Sequence, residues 1–286
     1  MTRGRAAGLA VICLTVNAVG ADRSAGAPAA HNGRIFFERG FDLYSIDPSG
    51  RNLRRITGTR APEQDPNAGP GGTELVFRTA NDEITRIRSN GTKRVNLTRN
   101  DAHDFAPAWS GRGTIAFTSS RAGGQTIWTM DRNGRRARRV SPADGEYPAW
   151  SRDGRWLAFS RPSGATYDLW VMRSNGTGLE QLTDTISVWE GTPSWSPDNR
   201  TIVFSRGDPN GGLGGRKLWL VDRAGGGLRQ LTAGRGNDDF APSWSPDGRQ
   251  IAFTRNDRLF TIAASGARPR SLGVSPSLPD WAAAPG

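Results

Sequence analysis

Four Pro-x-Trp triplets divide this chain at a near-constant interval. They are Pro107-Ala108-Trp109, Pro148-Ala149-Trp150, Pro193-Ser194-Trp195 and Pro242-Ser243-Trp244, with tryptophans 41, 45 and 49 residues apart. A repeat of about 40–45 residues whose segments all read as short strands is the mark of a β-propeller, built from four-stranded blades.

The copy around Trp150 shows one whole repeat. Ser151-Arg152-Asp153-Gly154 is a turn cluster, and Trp156-Leu157-Ala158-Phe159-Ser160 is an apolar run of strand length. Asp168-Leu169-Trp170-Val171-Met172 is a third strand, and Asn175-Gly176 a strong hairpin signal. Leu179-Glu180-Gln181-Leu182-Thr183 then alternates apolar and polar, as an edge strand with one wet face does. The third strand recurs six times, beginning at Leu43, Ile84, Ile127, Leu169, Leu218 and Leu259 and closing on Gly50, Gly91, Gly134, Gly176, Gly225 and Gly266. The second strand also recurs six times, ending on Phe37, Phe77, Phe117, Phe159, Phe204 and Phe253. The first copy opens at its second strand, Arg34-Ile35-Phe36-Phe37, while an extra Pro279-Asp280-Trp281 stands at the far end. The expected fold is therefore an all-β, six-bladed propeller of four-stranded antiparallel blades, with the C-terminal strand completing the first blade. In the second copy Gly69 is expected where tryptophan should stand, within Asn67-Ala68-Gly69-Pro70-Gly71-Gly72.

The remaining segments read simply. Residues 1–21 have Arg3 and Arg5, an apolar stretch from Ala6 to Val19 and the small-residue end Val19-Gly20-Ala21, the pattern of a secretory signal. That stretch is short for a membrane span. Residues 22–33 read as a flexible tether, 34–282 as the propeller and 283–286 as a tail. The single cysteine, Cys13, lies in the signal, so the mature chain has no disulfide, thiol nucleophile or sulfur-ligated metal. Loss of Arg3 and Arg5 leaves 36 basic residues against 27 acidic ones, a formal +9. Arginines concentrate in fourth strands, at Arg54-Arg55, Arg135 to Arg139 and Arg268/Arg270, where charge protects a sheet edge from pairing with another chain. Attraction to an anionic envelope polymer is the sharper reading of the same residues. Nucleic acid is not an expected partner, and the protein is expected to be an exported monomer.

The string Pro242-Ser243-Trp244-Ser245-Pro246-Asp247-Gly248 followed by Ile251-Ala252-Phe253 closely resembles the TolB-type propeller repeat, and Ser196-Pro197-Asp198-Asn199 is a near copy. The resemblance covers about residues 34–282. It implies an exported binding or scaffold module of the cell envelope, periplasmic or extracellular, with a protein or peptide partner. The additional N-terminal α/β domain of TolB itself has no counterpart in this reading.

Residues entering each innermost strand are expected at one mouth of the central channel. Asp104, Glu190 and Asp239 stand five residues before a tryptophan, Glu146 is offset by one, and Asp65 takes the comparable place in the drifted copy. Converging carboxylates could hold a Ca²⁺-like cation or a basic group of a partner; the alternative is local capping or pairing with nearby arginines. Trp189 has no counterpart in other repeats and is the candidate exposed contact, whereas Phe105 and Phe240 suit packing between blades. Trp109, Trp150, Trp195, Trp244 and Trp281 are assigned to structure. With His31 and His103 the only histidines, a histidine-rich zinc site is excluded, and no Ser/His/Asp arrangement is evident. The expected function is non-catalytic binding; a polysaccharide lyase or hydrolase using the same carboxylates is the enzymatic alternative.

Overall fold

The structure, a computed structural model, describes residues 31–208, 215–275 and 277–285. The signal reading and most of the tether fall outside the described residues. Strands dominate the described chain, which carries one short 3-10 turn, Pro70–Gly72.

Each repeat folds as an antiparallel sheet whose strands lie side by side in chain order. Glu146–Trp150 pairs with Trp156–Ser163, which pairs with Thr166–Arg173, which pairs with Glu180–Gln181. The same order runs through Glu63–Ala68 to Val95–Asn96, Asp104–Trp109 to Arg138–Arg139, Trp189–Trp195 to Arg229–Gln230, and Asp239–Trp244 to Arg270–Ser271. One parallel contact, Tyr167 to Trp189, joins two of these sheets edge to edge. The first strand, Asn32–Arg39, sits between Asp42–Ile46 and the last strand, Ser277–Ala283, with Ile35 opposite Trp281.

The outermost strands are shorter than their alternation suggests. Each is two residues long and exposed, and four of the six contain arginine. A hydroxyl cuts the ladder short. Thr183 Oγ1 accepts the Leu169 amide at 2.9 Å, and Thr57, Thr98, Ser141 and Thr232 do the same for Leu43, Ile84, Ile127 and Leu218. Leu182, next to Thr183, turns into the core instead of continuing an edge. Two-residue charged edges give a neighbouring chain little to pair with.

Packing between sheets rests on the tryptophans. Trp109 lies against Val76, Ile84 and Leu97 of the preceding repeat, and Trp150 against Ala116, Ile127 and Val140. Trp195, Trp244 and Trp281 repeat this against Ala158, Val203 and Ala252. In the second repeat the tryptophan position belongs to Ala68, not Gly69: Ala68 faces Leu75 just as Trp109 faces Ile115. The triplet there is Pro66-Asn67-Ala68, hidden from sequence reading because neither of its last two residues is aromatic or small in the expected place. Phe36 compensates. It stands where the other repeats have Val76, Ala116, Ala158, Val203 and Ala252, so a large ring on one side answers the small residue on the other.

The middle residue of each triplet ties its strand to the next. Asn67 Oδ1 accepts the Trp109 amide, Ser194 Oγ the Trp244 amide at 3.1 Å, Ser243 Oγ the Trp281 amide at 2.9 Å, and Asp280 Oδ2 the Ala68 amide at 2.8 Å. Where that residue is alanine, the next indole takes over: Trp150 Nε1 donates to the Ala108 carbonyl and Trp195 Nε1 to the Ala149 carbonyl, both at 3.1 Å. The third-to-fourth strand hairpins add a second contact. A Cβ at Gly176, whose φ is +91°, would overlap the Val140 carbonyl oxygen, so only glycine lets the turn seat there.

Removing residues 277–286 strips the first strand of its partner and takes Trp281 out of its cluster. Loss of one buried tryptophan alone costs about 3–5 kcal/mol. The truncated protein is expected to melt well below the full chain, or without a cooperative transition, by circular dichroism. An unchanged melting temperature would show that the last strand is dispensable.

Candidate functional site

The six Pro-containing inner segments surround one cavity of about 550 Å³. Each segment carries the same irregularity, a β-bulge in which two residues oppose one on the second strand. The first bulged residue is left-handed in every case: Asp65, Ala106, Tyr147, Thr192, Ala241 and Leu278 have φ between 45° and 54°. Non-glycine residues occupy this region at a cost of order 1 kcal/mol or more. The second is always proline: Pro66, Pro107, Pro148, Pro193, Pro242 and Pro279. Proline has no N–H to orphan where the ladder is interrupted. The left-handed residue's own amide is met from the preceding repeat, by Glu38 for Asp65, Asp65 for Ala106, Thr118 for Tyr147 and Ser205 for Ala241.

This bulge decides which side chains reach the cavity. Of the five carboxylates expected at the mouth, only Asp65 lines it; Asp104, Glu146, Glu190 and Asp239 do not. Asp104, Glu190 and Asp239 are fully buried, each facing an arginine from the second strand or the turn after it. Arg121 Nη2 donates to Asp104 at 2.6 Å, Arg255 reaches Asp239 at 2.5 and 2.7 Å, and Arg206 Nε lies 3.2 Å from Glu190. Asp65 lies one bulge position away from these. The true counterpart of Asp104 in its repeat is Glu63, which pairs with Arg94. Glu146 instead accepts the Tyr167 hydroxyl at 3.0 Å. Each of these acids thus has an arginine or a tyrosine hydroxyl beside it, and among the described residues no group of three His, Cys, Asp or Glu is placed to hold a metal ion. The arginine partners were visible in the chain as Phe204-Ser205-Arg206 and Phe253-Thr254-Arg255. Their pairing was not, because facing residues on adjacent strands are set by register.

Burial colours these groups unequally. The Glu190 carboxyl is pushed up to about 6, first by burial, with Arg206 among the groups opposing the rise. Burial also raises Asp65, with Arg78 working against it. Trp189 is half-buried, its ring folded over Gly191, while Ile186 in the same connection is 96% exposed. Phe105 meets Tyr147 edge to face across adjacent repeats at 5.7 Å, the packing role expected of it.

The acid that the sequence reading did not single out as a site is Asp280. It lines the cavity, accepts the Ala68 amide and the Asn67 side-chain amide at 2.8 and 3.2 Å, and has no arginine or lysine partner among the described residues. Enclosure by protein pushes its carboxyl from 3.8 up to about 6, against the pull of the Ala68 amide and Ser243. The folded state thus holds this proton to higher pH than the unfolded chain does. Below about pH 4 both states are protonated and nothing is lost; from there to pH 6 a penalty grows, of order 1–3 kcal/mol once complete. Asp280→Asn gives up one of the two accepted amides at every pH, but its melting temperature relative to wild type is expected to rise by a few degrees as pH goes from 4 to 7.5. Parallel melting curves from pH 4 to 8 with a constant offset would contradict this origin.

Comparison with known proteins agrees with the geometry. The TolB beta propeller domain family matches residues 78–213. A protein named TolB homolog from Chlorobium luteolum is 29% identical over 122 residues, covering 41% of this chain and 28% of that protein. The segment matched is thus under a third of that relative's length. Among solved structures, putative TolB from Agrobacterium tumefaciens superposes with a TM-score of 0.71 at 18% identity, over 85% of this chain and 88% of that one. TolB from Acinetobacter baumannii gives 0.70 at 22% identity, over 87% and 66%. Repeat sequence, sheet order and these likenesses converge on one fold: the chain is an all-β protein of four-stranded sheets similar to the TolB propellers, and residues 78–213 match the TolB beta propeller domain family.

Proposed function

We propose that the chain is an exported, non-catalytic module that holds a protein or peptide of the cell envelope at the axial cavity of a closed, six-bladed disc. Closure is supported by the hydrogen bonds that lead from Asp280 to Ala68, from triplet to triplet, and from Ser243 back to Trp281. Export is supported by the signal pattern of residues 1–21. No helix among the described residues is long and apolar enough to cross a membrane. Relatives in Anaeromyxobacter carry the name Tol-Pal system protein TolB, which favours an envelope partner here.

The observation that carries the reading is the character of the cavity wall. It mixes prolines and indole edges with a few polar groups, Asn67, Thr192, Ser194, Ser243 and Asp280 among them. The exposed wall is more polar than apolar, so prolines and indoles give it a fixed shape while amide, hydroxyl and backbone groups offer a partner oriented hydrogen-bond sites. Its acids are engaged in holding the fold: Asp280 on two amides, and Asp65 on the Ala106 amide with Arg78 3.5 Å away.

A photo-crosslinking residue in place of Arg152, which is exposed at the cavity rim, is expected to give one discrete protein adduct in the native envelope. Adding Ala149→Arg, which projects a long side chain from the cavity wall, is expected to reduce that adduct at least tenfold. No adduct, or one indifferent to Ala149→Arg, would reject the cavity as the binding site. Turnover of a pectic or peptidic substrate would favour the enzymatic alternative instead.

A further inference from the structure

Five of the six junctions between repeats are plugged by an indole, and the sixth is not. Between the first and second repeats stand Ala68 and, opposite, Phe36. A cleft of about 370 Å³ opens there, outside the axial cavity. Its size falls within the range of small-molecule sites. Phe36, Ile56, Ala283 and Pro285 give it an apolar floor, and Gly71 and Gly72 form a wall with no side chains. A Cβ on Gly72 would approach Ala282 and the Ala283 carbonyl at 3.1 Å, so that wall lies close against the last strand.

The charge around this cleft has one sign. Arg34, Arg54 and Arg55 line it, with Thr73, Ser89 and Asn90 on the facing repeat, and no Asp or Glu does. Two of the guanidiniums are already committed. Arg34 is bound by Asp47, the Ser45 hydroxyl and carbonyl, and the Asn52 carbonyl. Arg55 donates to Asp42 at 2.5 and 3.1 Å. Arg54 has no ion pair or side-chain hydrogen bond among the described residues and is exposed. An apolar pocket with an uncommitted guanidinium at its edge attracts an anion that carries its own apolar body. Arginine planes also pack favourably on flat rings.

We propose that this cleft binds a small organic anion, its apolar part on Ile56, Ala283 and Pro285 and its carboxylate or phosphate on Arg54. The cleft shares Gly71 and Ala283 with the wall of the axial cavity, but Arg54, Arg55 and Ile56 belong to it alone, so the proposal stands apart from the partner assigned to that cavity. A volume of about 370 Å³ admits a ligand the size of an indole.

Indole-3-acetate is the direct probe, followed by calorimetry or by chemical-shift changes on the intact protein. It is expected to bind saturably, at least tenfold more tightly than the uncharged indole-3-acetamide, and to weaken as salt is raised. Indolyl phosphate, run beside it, separates a carboxylate site from a phosphate site by which anion binds more tightly. Arg54→Glu is expected to weaken the preferred anion at least tenfold, whereas Arg229→Glu, on another outer strand, leaves it unchanged. Thr73→Trp, at an exposed position on the facing wall, fills the cleft and is expected to lose the site while folding normally. No saturable binding of either anion, or equal losses in Arg54→Glu and Arg229→Glu, would overturn the proposal.

Discussion

Everything in this molecule depends on how one inner strand is fastened to the next. A sheet of four short strands cannot bury both of its faces alone, so each repeat needs a neighbour on either side. The Pro-x-Trp triplet meets that need with three residues. Proline passes through the bulge without leaving a donor unpaired, the middle residue carries the hydrogen bond across the junction, and the indole fills the space between sheets. The alternation at the middle position shows the two contacts are exchangeable: Asn67, Ser194, Ser243 and Asp280 accept a backbone amide, while behind Ala108 and Ala149 the indole N–H donates to a carbonyl. In the first form the backbone amide finds its partner while the buried indole N–H of Trp109, Trp244 and Trp281 has none among the described residues; in the second the indole N–H is the group that is met.

The same fastening determines what the cavity can be chemically. Asp104, Glu190 and Asp239 enter their strands ahead of the bulge and are fully buried beside arginines that remain partly exposed, instead of lining the cavity. Removing one partner of such a pair strands a buried charge, so these arginines belong to the scaffold. The wall that remains is proline, indole and a scatter of neutral polar groups, with Asp65 and Asp280 as its acids. Such a surface suits recognition of a partner better than proton transfer.

Departures from the repeat are as informative as the repeat. Trp to Ala at position 68 is answered by Phe36 across the junction, a volume exchange that keeps the core filled. The cleft beside Arg54 opens next to this junction, between Ile56 and the Gly71-Gly72 wall. Glu146, shifted by one residue from its counterparts, trades an arginine for the Tyr167 hydroxyl; Arg161, in the place held by Arg206 and Arg255 elsewhere, stacks on Trp170 at 4.6 Å.

Periodicity alone was enough to read an all-β chain of four-stranded antiparallel sheets, because tryptophan spacing, Asn-Gly turns and six apolar runs are local signals that tertiary context rarely overrides. The completion of the first sheet by Ser277–Ala283 was legible for the same reason: a triplet without a repeat at one end matches a repeat without a triplet at the other. Side-chain destinations were another matter. With no tryptophan to mark the second repeat, counting placed Gly69 and Asp65 one and two residues too far along, and pairing with the second strand gives those places to Ala68 and Glu63. Asp280 facing the cavity, the arginines facing the buried acids and the open junction beside Phe36 all depend on register between strands far apart in the chain. Composition and spacing determine which strands form; only their pairing decides where each side chain points.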